Sequence, residues 1–166
     1  MKKDADYWIE NLHLKPHPEG GYYCETYRAQ EKVNGVYLPS RYRSDRAFST
    51  AIYFLLKGDQ VSKLHRLRSD EIWHYYQGSS LTLYIINADG ALNVRKLGPG
   101  VEGEEDFQVI IPAGCWFGAE VNEKDAYSLI GCTVAPGFEF EDFELGKREE
   151  LMSDYPRYRE IIVKLT

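Results

Sequence analysis

Apolar residues recur along this chain with two different periods. At the start, Ala5, Trp8, Ile9 and Leu12 fall at i, i+3, i+4 and i+7, the spacing of one helix face, and Asp4 is placed to cap it. The stretch "KPHPEGG" that follows holds two prolines and two glycines and cannot continue a helix. From about residue 21 the period shifts towards two. "GYYCETYR" reads as a strand. "AFSTAIYFLL" reads as a stronger one, with Phe48, Thr50, Ile52 and Phe54 on one face and Ala51, Tyr53 and Leu55 on the other. Both faces are largely apolar, so this strand is expected to be covered on both sides.

Short strands are predicted for "VSKLHRL", "EIWHYYQ", "LTLYIIN" and "LNVRKL", the last two joined by the turn "NADG", a good hairpin signal. An acidic loop, "GPGVEGEED", leads to "FQVIIPAG", "CWFGAEV" and "YSLIGCTVAP". Roughly eight to ten strands at this spacing point to a β-sandwich or barrel. "GFEFEDF" alternates Phe with acid and suits an edge strand or an extended arm. In "KREELMSDYPRYREIIVKL" helical spacing returns, and Pro156 is expected to open a final helix. The chain therefore reads as one mainly β domain over residues 1–166 with short terminal helices.

Composition sharpens this picture in three places. Thirteen Tyr, 7 Phe and 3 Trp favour pleated, half-buried surfaces. A net charge of −6 disfavours nucleic-acid and anionic-membrane partners, which need clustered Lys and Arg. One basic cluster, Arg41, Arg43 and Arg46, has Asp45 inside it and reads as a solvated loop, with a phosphate of a small ligand as the alternative. Cys24, Cys115 and Cys132 form no CxxC pair and are expected to be reduced, mostly buried thiols. The first residues turn charged at once, so no secretory signal is read and a cytoplasmic location is expected.

Chemistry concentrates in "HRLRSDEIWHYYQG", residues 65–78. Strand parity puts His65 and Leu67 on one face; after the turn, Glu71, Trp73 and Tyr75 share a face, and His74 lies opposite unless a bulge re-aims it. The apparent cluster thus reduces to one histidine and one carboxylate, too few for a firm metal site.

Gly58, His65, Glu71 and Gly78 resemble the first cupin motif, whose second histidine is Leu67 here, and "PAGCWF" resembles the second motif, with Phe117 in the histidine position. Longer blocks, "PHPEGGYYCETYR", "STAIYFLL", "SDEIWHYYQG", "IPAGCWFGAE" and "GCTVAPGFEFEDFEL", look like the Cupin_5 family of unassigned function. The resemblance implies an all-β, double-stranded β-helix (jelly-roll) barrel with short N- and C-terminal helices, and a homodimer. It supplies no reaction, since one fold hosts many. Two of the four usual metal ligands remain, so no metal and no cofactor is expected.

The resulting expectation is a pocket for a small polar ligand such as a carbohydrate or nucleotide-sugar. By analogy with cupin sugar epimerases, His65 would be the general base, Glu71 its orienting partner and Tyr75 the general acid. Glu19, Trp73, Gln108, Trp116 and Phe117 are candidate ligand contacts. Glu19 and His17 stand in the distinctive "HPEGG" loop, which can equally be a plain turn, while His74 reads as structural and His13 as helix surface. Two other readings stay open: a metal-dependent isomerase or oxygenase with a third ligand from His74 or Glu19, and a non-enzymatic sensor.

Overall fold

Residues 3–166 are described by a computed structural model of the chain. The first helix, α1, spans Ala5–Asn11, and the Asp4 side chain accepts a hydrogen bond from the Tyr7 amide at 2.9 Å, the cap that the sequence predicts. Nine strands of four or more residues follow. They are β1 (Tyr22–Arg28), β2 (Thr50–Lys57), β3 (Val61–Arg66), β4 (Asp70–Gly78) and β5 (Leu81–Ile86) in the first half. In the second half come β6 (Leu92–Leu97), β7 (Gln108–Ile111), β8 (Trp116–Val121) and β9 (Tyr127–Ala135). Helices α2 (Arg148–Asp154) and α3 (Arg159–Lys164) close the chain, with Pro156 opening the 3-10 turn between them.

The strands form two six-stranded sheets. One runs Lys15–Pro16, β1, β2, β9, β4, β7, and the other runs Glu105–Asp106, β6, β5, β8, β3, Glu144–Leu145. Successive strands β2, β3, β4 and β5 alternate between the sheets, as in a jelly roll. Phe54, Trp73, Val109 and Ile130 from the first sheet meet Leu83, Ile85, Phe117 and Ala119 from the second in one buried core.

The apolar outer face of β2 is covered as its pattern requires. Leu55 and Tyr53 pack with Leu129 against Ala5, Trp8, Ile9 and Leu12 of α1. On the second sheet, Leu64, Ile86 and Trp116 are covered by Leu151, Ile162 and Leu165 of the C-terminal helices. Each such Leu or Ile contributes about 1.5–3 kcal/mol when fully buried. Among the described residues no helix is long and apolar enough to cross a membrane.

Three expectations are corrected. Phe48 is about half exposed and precedes the strand rather than sharing its inner face. "GFEFEDF" is not a strand: Phe140–Asp142 make a 3-10 turn, and only Glu144–Leu145 add to a sheet edge. Arg46 is no solvated loop residue either. It is wholly buried, donating from Nε and Nη2 to the Asp142 carboxylate at 2.6 and 2.7 Å and from Nη2 to Glu141 at 2.6 Å.

Candidate functional site

A cavity of about 270 Å³ lies between the sheets. Its polar lining comes from separate parts of the chain: His17 and Glu19 from the loop before β1, His65 from β3, Glu71 from β4 and Cys132 from β9. Strand parity explains the last three, since Thr50, Ile52 and Phe54 of β2 and Cys132 and Val134 of β9 line it at every second position.

The loop's contribution depends on its glycines. Gly20 has φ +113°, and a Cβ there would strike the Val61 carbonyl oxygen of β3. This close approach lets the Lys63 amide donate to the Glu19 carbonyl at 2.8 Å, seating Glu19 over β3. Glu19 Oε1 then accepts from the Ser62 hydroxyl at 2.8 Å. Its Oε2 lies 3.2 Å from His65 Nε2 and 3.3 Å from His17 Nδ1.

Hydrogen-bond direction fixes where the protons sit. His65 Nδ1 is 2.7 Å from the Lys63 carbonyl, which can only accept, so Nδ1 carries a hydrogen. His17 Nδ1 accepts from the Glu19 amide at 3.3 Å and carries none. Burial holds both imidazoles below their ordinary pKa, favouring the neutral ring. With both rings neutral, His65 Nε2 presents a lone pair to Glu19 Oε2, while that of His17 Nδ1 is taken by the Glu19 amide. The carboxyl must supply the proton between them, and burial pushes its pKa up to about 7, against the opposing pull of His17 and Ser62. A protonated Glu19 can donate from Oε2 to His65 Nε2 across 3.2 Å.

Glu71 behaves differently. Burial, aided by the nearby charge of Glu19, raises it to about 7, with His65 pulling the other way. It makes no hydrogen bond to His65, so it is not the orienting partner that the sequence suggests; that place belongs to Glu19 and the Lys63 carbonyl. Its Oε2 is buried and has no hydrogen-bond partner in the structure.

Of the remaining predicted site residues, none lines the cavity. Tyr75 lies on the core side of β4 but its hydroxyl donates to the Gly78 carbonyl at 2.6 Å, so it is spent on the strand's own end. Trp73 is buried in the core, and Trp116 sits under the C-terminal helices with the Arg66 guanidinium over its ring. Gln108 is exposed on the outer face of β7, 2.9 Å from His74 Nδ1, and His74 Nε2 is 3.0 Å from the Thr133 hydroxyl. Phe117 supports the site from behind, its ring centroid 4.0 Å from that of His65.

Residues that sequence reasoning passed over complete the site. Phe138, Phe140 and Phe143 close over it with Tyr23 and Phe54. His17 is packed edge-on against Tyr23 at 4.7 Å and stacked on Phe140 at 6.0 Å. At the mouth, Arg28 donates to Glu25 (2.8 Å), to Glu139 (2.6 Å) and to the Phe138 carbonyl (3.0 Å). The alternating Phe residues were a visible signal, but they mark a roof rather than a strand.

The metal ligands of typical cupin motifs find no equivalent here. Leu67 lines the cavity where the second histidine would stand, and Phe117 packs its ring on His65 where the last would be. Among the described residues no group of three or more His, Cys, Asp or Glu side chains is arranged to hold a metal ion. These residues do not fit a resident metal.

The sequence model of the Cupin_5 family, described as cupin superfamily (DUF985), matches residues 6–146. An uncharacterized protein of Saccharomyces cerevisiae is 32% identical over 152 residues, covering 86% of this chain and 75% of its own length. A crystal structure of a protein from Shewanella oneidensis is similar at 40% identity and a TM-score of 0.88, over 100% of this chain and 98% of that one. A hypothetical protein from Leishmania major is similar at 35% identity and a TM-score of 0.89, over 98% of each chain. Oxalate decarboxylase from Bacillus subtilis shares the fold alone, at 16% identity and a TM-score of 0.55, over 91% of this chain and 36% of that one.

Proposed function

The chain belongs to the Cupin_5 family of the cupin superfamily, and on that premise we propose that it binds a small polar molecule between its sheets and moves a proton on it. The observation that carries this reading is the placement of Glu19 Oε2 between His65 Nε2 and His17 Nδ1 in an enclosed cavity. A carboxyl raised to about 7 by burial, beside an imidazole, can take up or give a proton at little cost near neutrality, which is what general acid–base catalysis needs. In this reading the Glu19–His65 pair acts as one unit, first accepting a proton beside a carbonyl and then returning it. Glu71 stands in the same lining as a second carboxyl available to the ligand.

The chemistry is isomerase- or epimerase-like, and size narrows the ligand. Pockets for drug-sized molecules run from about 300 to 1,000 Å³, so a cavity of about 270 Å³ suits a compact molecule of monosaccharide size. A nucleotide-sugar is less well served, because its diphosphate would meet Glu25 and Glu139 at a mouth whose Arg28 is already paired.

Incubating the protein in D2O with a panel of monosaccharides and small hydroxycarbonyl compounds tests this, with deuterium uptake at carbon followed by NMR. Catalysed exchange is expected, falling about 100-fold or more in His65→Gln and Glu19→Gln. Exchange that is equal in these variants, or absent with every compound, defeats the reading. A second reading, binding without turnover, is favoured by one observation: the Tyr75 hydroxyl is tied to Gly78 and is not free to act as the second acid. Saturable binding with no exchange would select it.

A further inference from the structure

Resting on the reading of this cavity as a small-molecule site, we propose that its ligand carries a protonated amine, with Glu71 as the counter-ion and the surrounding rings as walls. The carboxyl groups alone do not make the case. The pointer is the Glu71 carboxyl, which lines the cavity and whose Oε2 completes no hydrogen bond in the structure, although the Trp73 indole and the Cys132 thiol lie beside it. Its residue is only 7% exposed, and a donor on a ligand in the cavity would complete the shell of this carboxyl.

The charges facing the cavity decide what kind of donor that is. Glu19, Glu25, Glu71 and Glu139 line it, against Lys15 and Arg28. The Arg28 guanidinium is engaged by Glu25, Glu139 and the Phe138 carbonyl, and Lys15 Nζ lies 5.1 Å from the centre of the Tyr23 ring at the rim. An anionic group entering here meets carboxyls first and no free guanidinium. A hydroxyl could satisfy Glu71 but would gain nothing from the aromatic walls.

An ammonium gains from both. Tyr23, Phe54, Phe138, Phe140 and Phe143 enclose the space, and the negative faces of such rings attract cations, more strongly when water is excluded. A carboxylate at one side of an aromatic enclosure supplies the charge-assisted hydrogen bond that an alkylammonium needs. The same placement sets the amine beside the Glu19–His65 pair, so the proton moved would lie near the nitrogen-bearing carbon.

Three compounds of one skeleton separate charge from shape: 3,3-dimethylbutylammonium, 3,3-dimethyl-1-butanol and 3,3-dimethylbutanoate. Calorimetric titration of the wild-type protein is expected to show the ammonium binding about tenfold or more tightly than the alcohol, a difference of about 1.4 kcal/mol, with the carboxylate weakest. Glu71→Gln is expected to bring the ammonium to the level of the alcohol and to leave the alcohol unchanged. An alcohol or carboxylate that binds wild type as well as the ammonium overturns the amine while the cavity reading stands. So does an undiminished preference in Glu71→Gln. If none of the three binds, the amine is overturned, and the exchange experiment decides the cavity reading on its own.

Discussion

Glu19 and Glu71 carry the same functional group and reach similar protonation behaviour by different routes. Glu19 is embedded in partners, a serine and two imidazoles. Glu71 has an oxygen without a partner, and burial beside another carboxyl favours its neutral form. This difference has a consequence for stability. In the unfolded chain Glu71 titrates at its ordinary 4.5, in the folded protein at about 7, so between these values the folded state binds the extra proton. Its contribution is fully present below 4.5 and is lost as pH rises through 7. The depressed His17 and His65 act in the opposite sense, destabilising the fold as pH falls below 6.5; His17 is common to wild type and variant, while His65 loses the upward pull of Glu71 in Glu71→Gln. The melting temperature of Glu71→Gln minus that of wild type should therefore climb from about pH 5 to about pH 8. A flat difference would mean that Glu71 is ionised throughout. Parity along the strands was enough to turn His65 and Glu71 inward, but it says nothing of height along the barrel. That is why Tyr75 shares the right face and misses the cavity, and why His17, held by a loop without period, could not be read.

At the level of elements, the segment from Phe138 to Phe143 owes its position to one buried arginine. Arg46 Nε and Nη2 hold Asp142, Nη2 also holds Glu141, and Nη1 donates to the Ser44 and Asp45 carbonyls at 2.8 and 2.9 Å. These bonds pin the 3-10 turn that lays Phe140 and Phe143 against His17. Arg46→Met leaves buried Asp142 with only the longer contact to the Arg68 guanidinium at 3.6 Å and should cost about 3 kcal/mol in urea unfolding. Pairing it with Asp142→Leu, which removes the stranded charge, should restore most of that loss, whereas a single variant costing under about 1 kcal/mol would show the pair to be dispensable. The sequence displayed this element as alternation of Phe and acid, the sign of a strand. What it could not display is that Arg46, nearly a hundred positions earlier, bends the segment into a turn. Regular strands needed no such distant help: β2 was legible on both faces because α1 and the core each claim one of them.

For the whole molecule, the order of strands follows from pattern plus family likeness, while assembly needs the surface. Ile110 on β7 pairs with Ile72 on β4, and together with Tyr76 leaves an apolar patch on the outer face of the first sheet, with Ile110 63% and Tyr76 51% exposed. We expect sedimentation velocity to show a dimer through this face and Ile110→Lys to yield monomers; a monomeric wild type would remove the patch from consideration. The cavity itself joins distant stretches of chain: the loop at 17–19, the strands at 50–54 and 65–71, and the roof at 138–143. No stretch holds a ligand alone, so binding and folding are thermodynamically linked. Free ligand at a hundred times its Kd adds about 2.7 kcal/mol to the folded state. Scarcity of the ligand would then shorten the life of the chain among proteases, and abundance of the protein would follow the supply of what it binds.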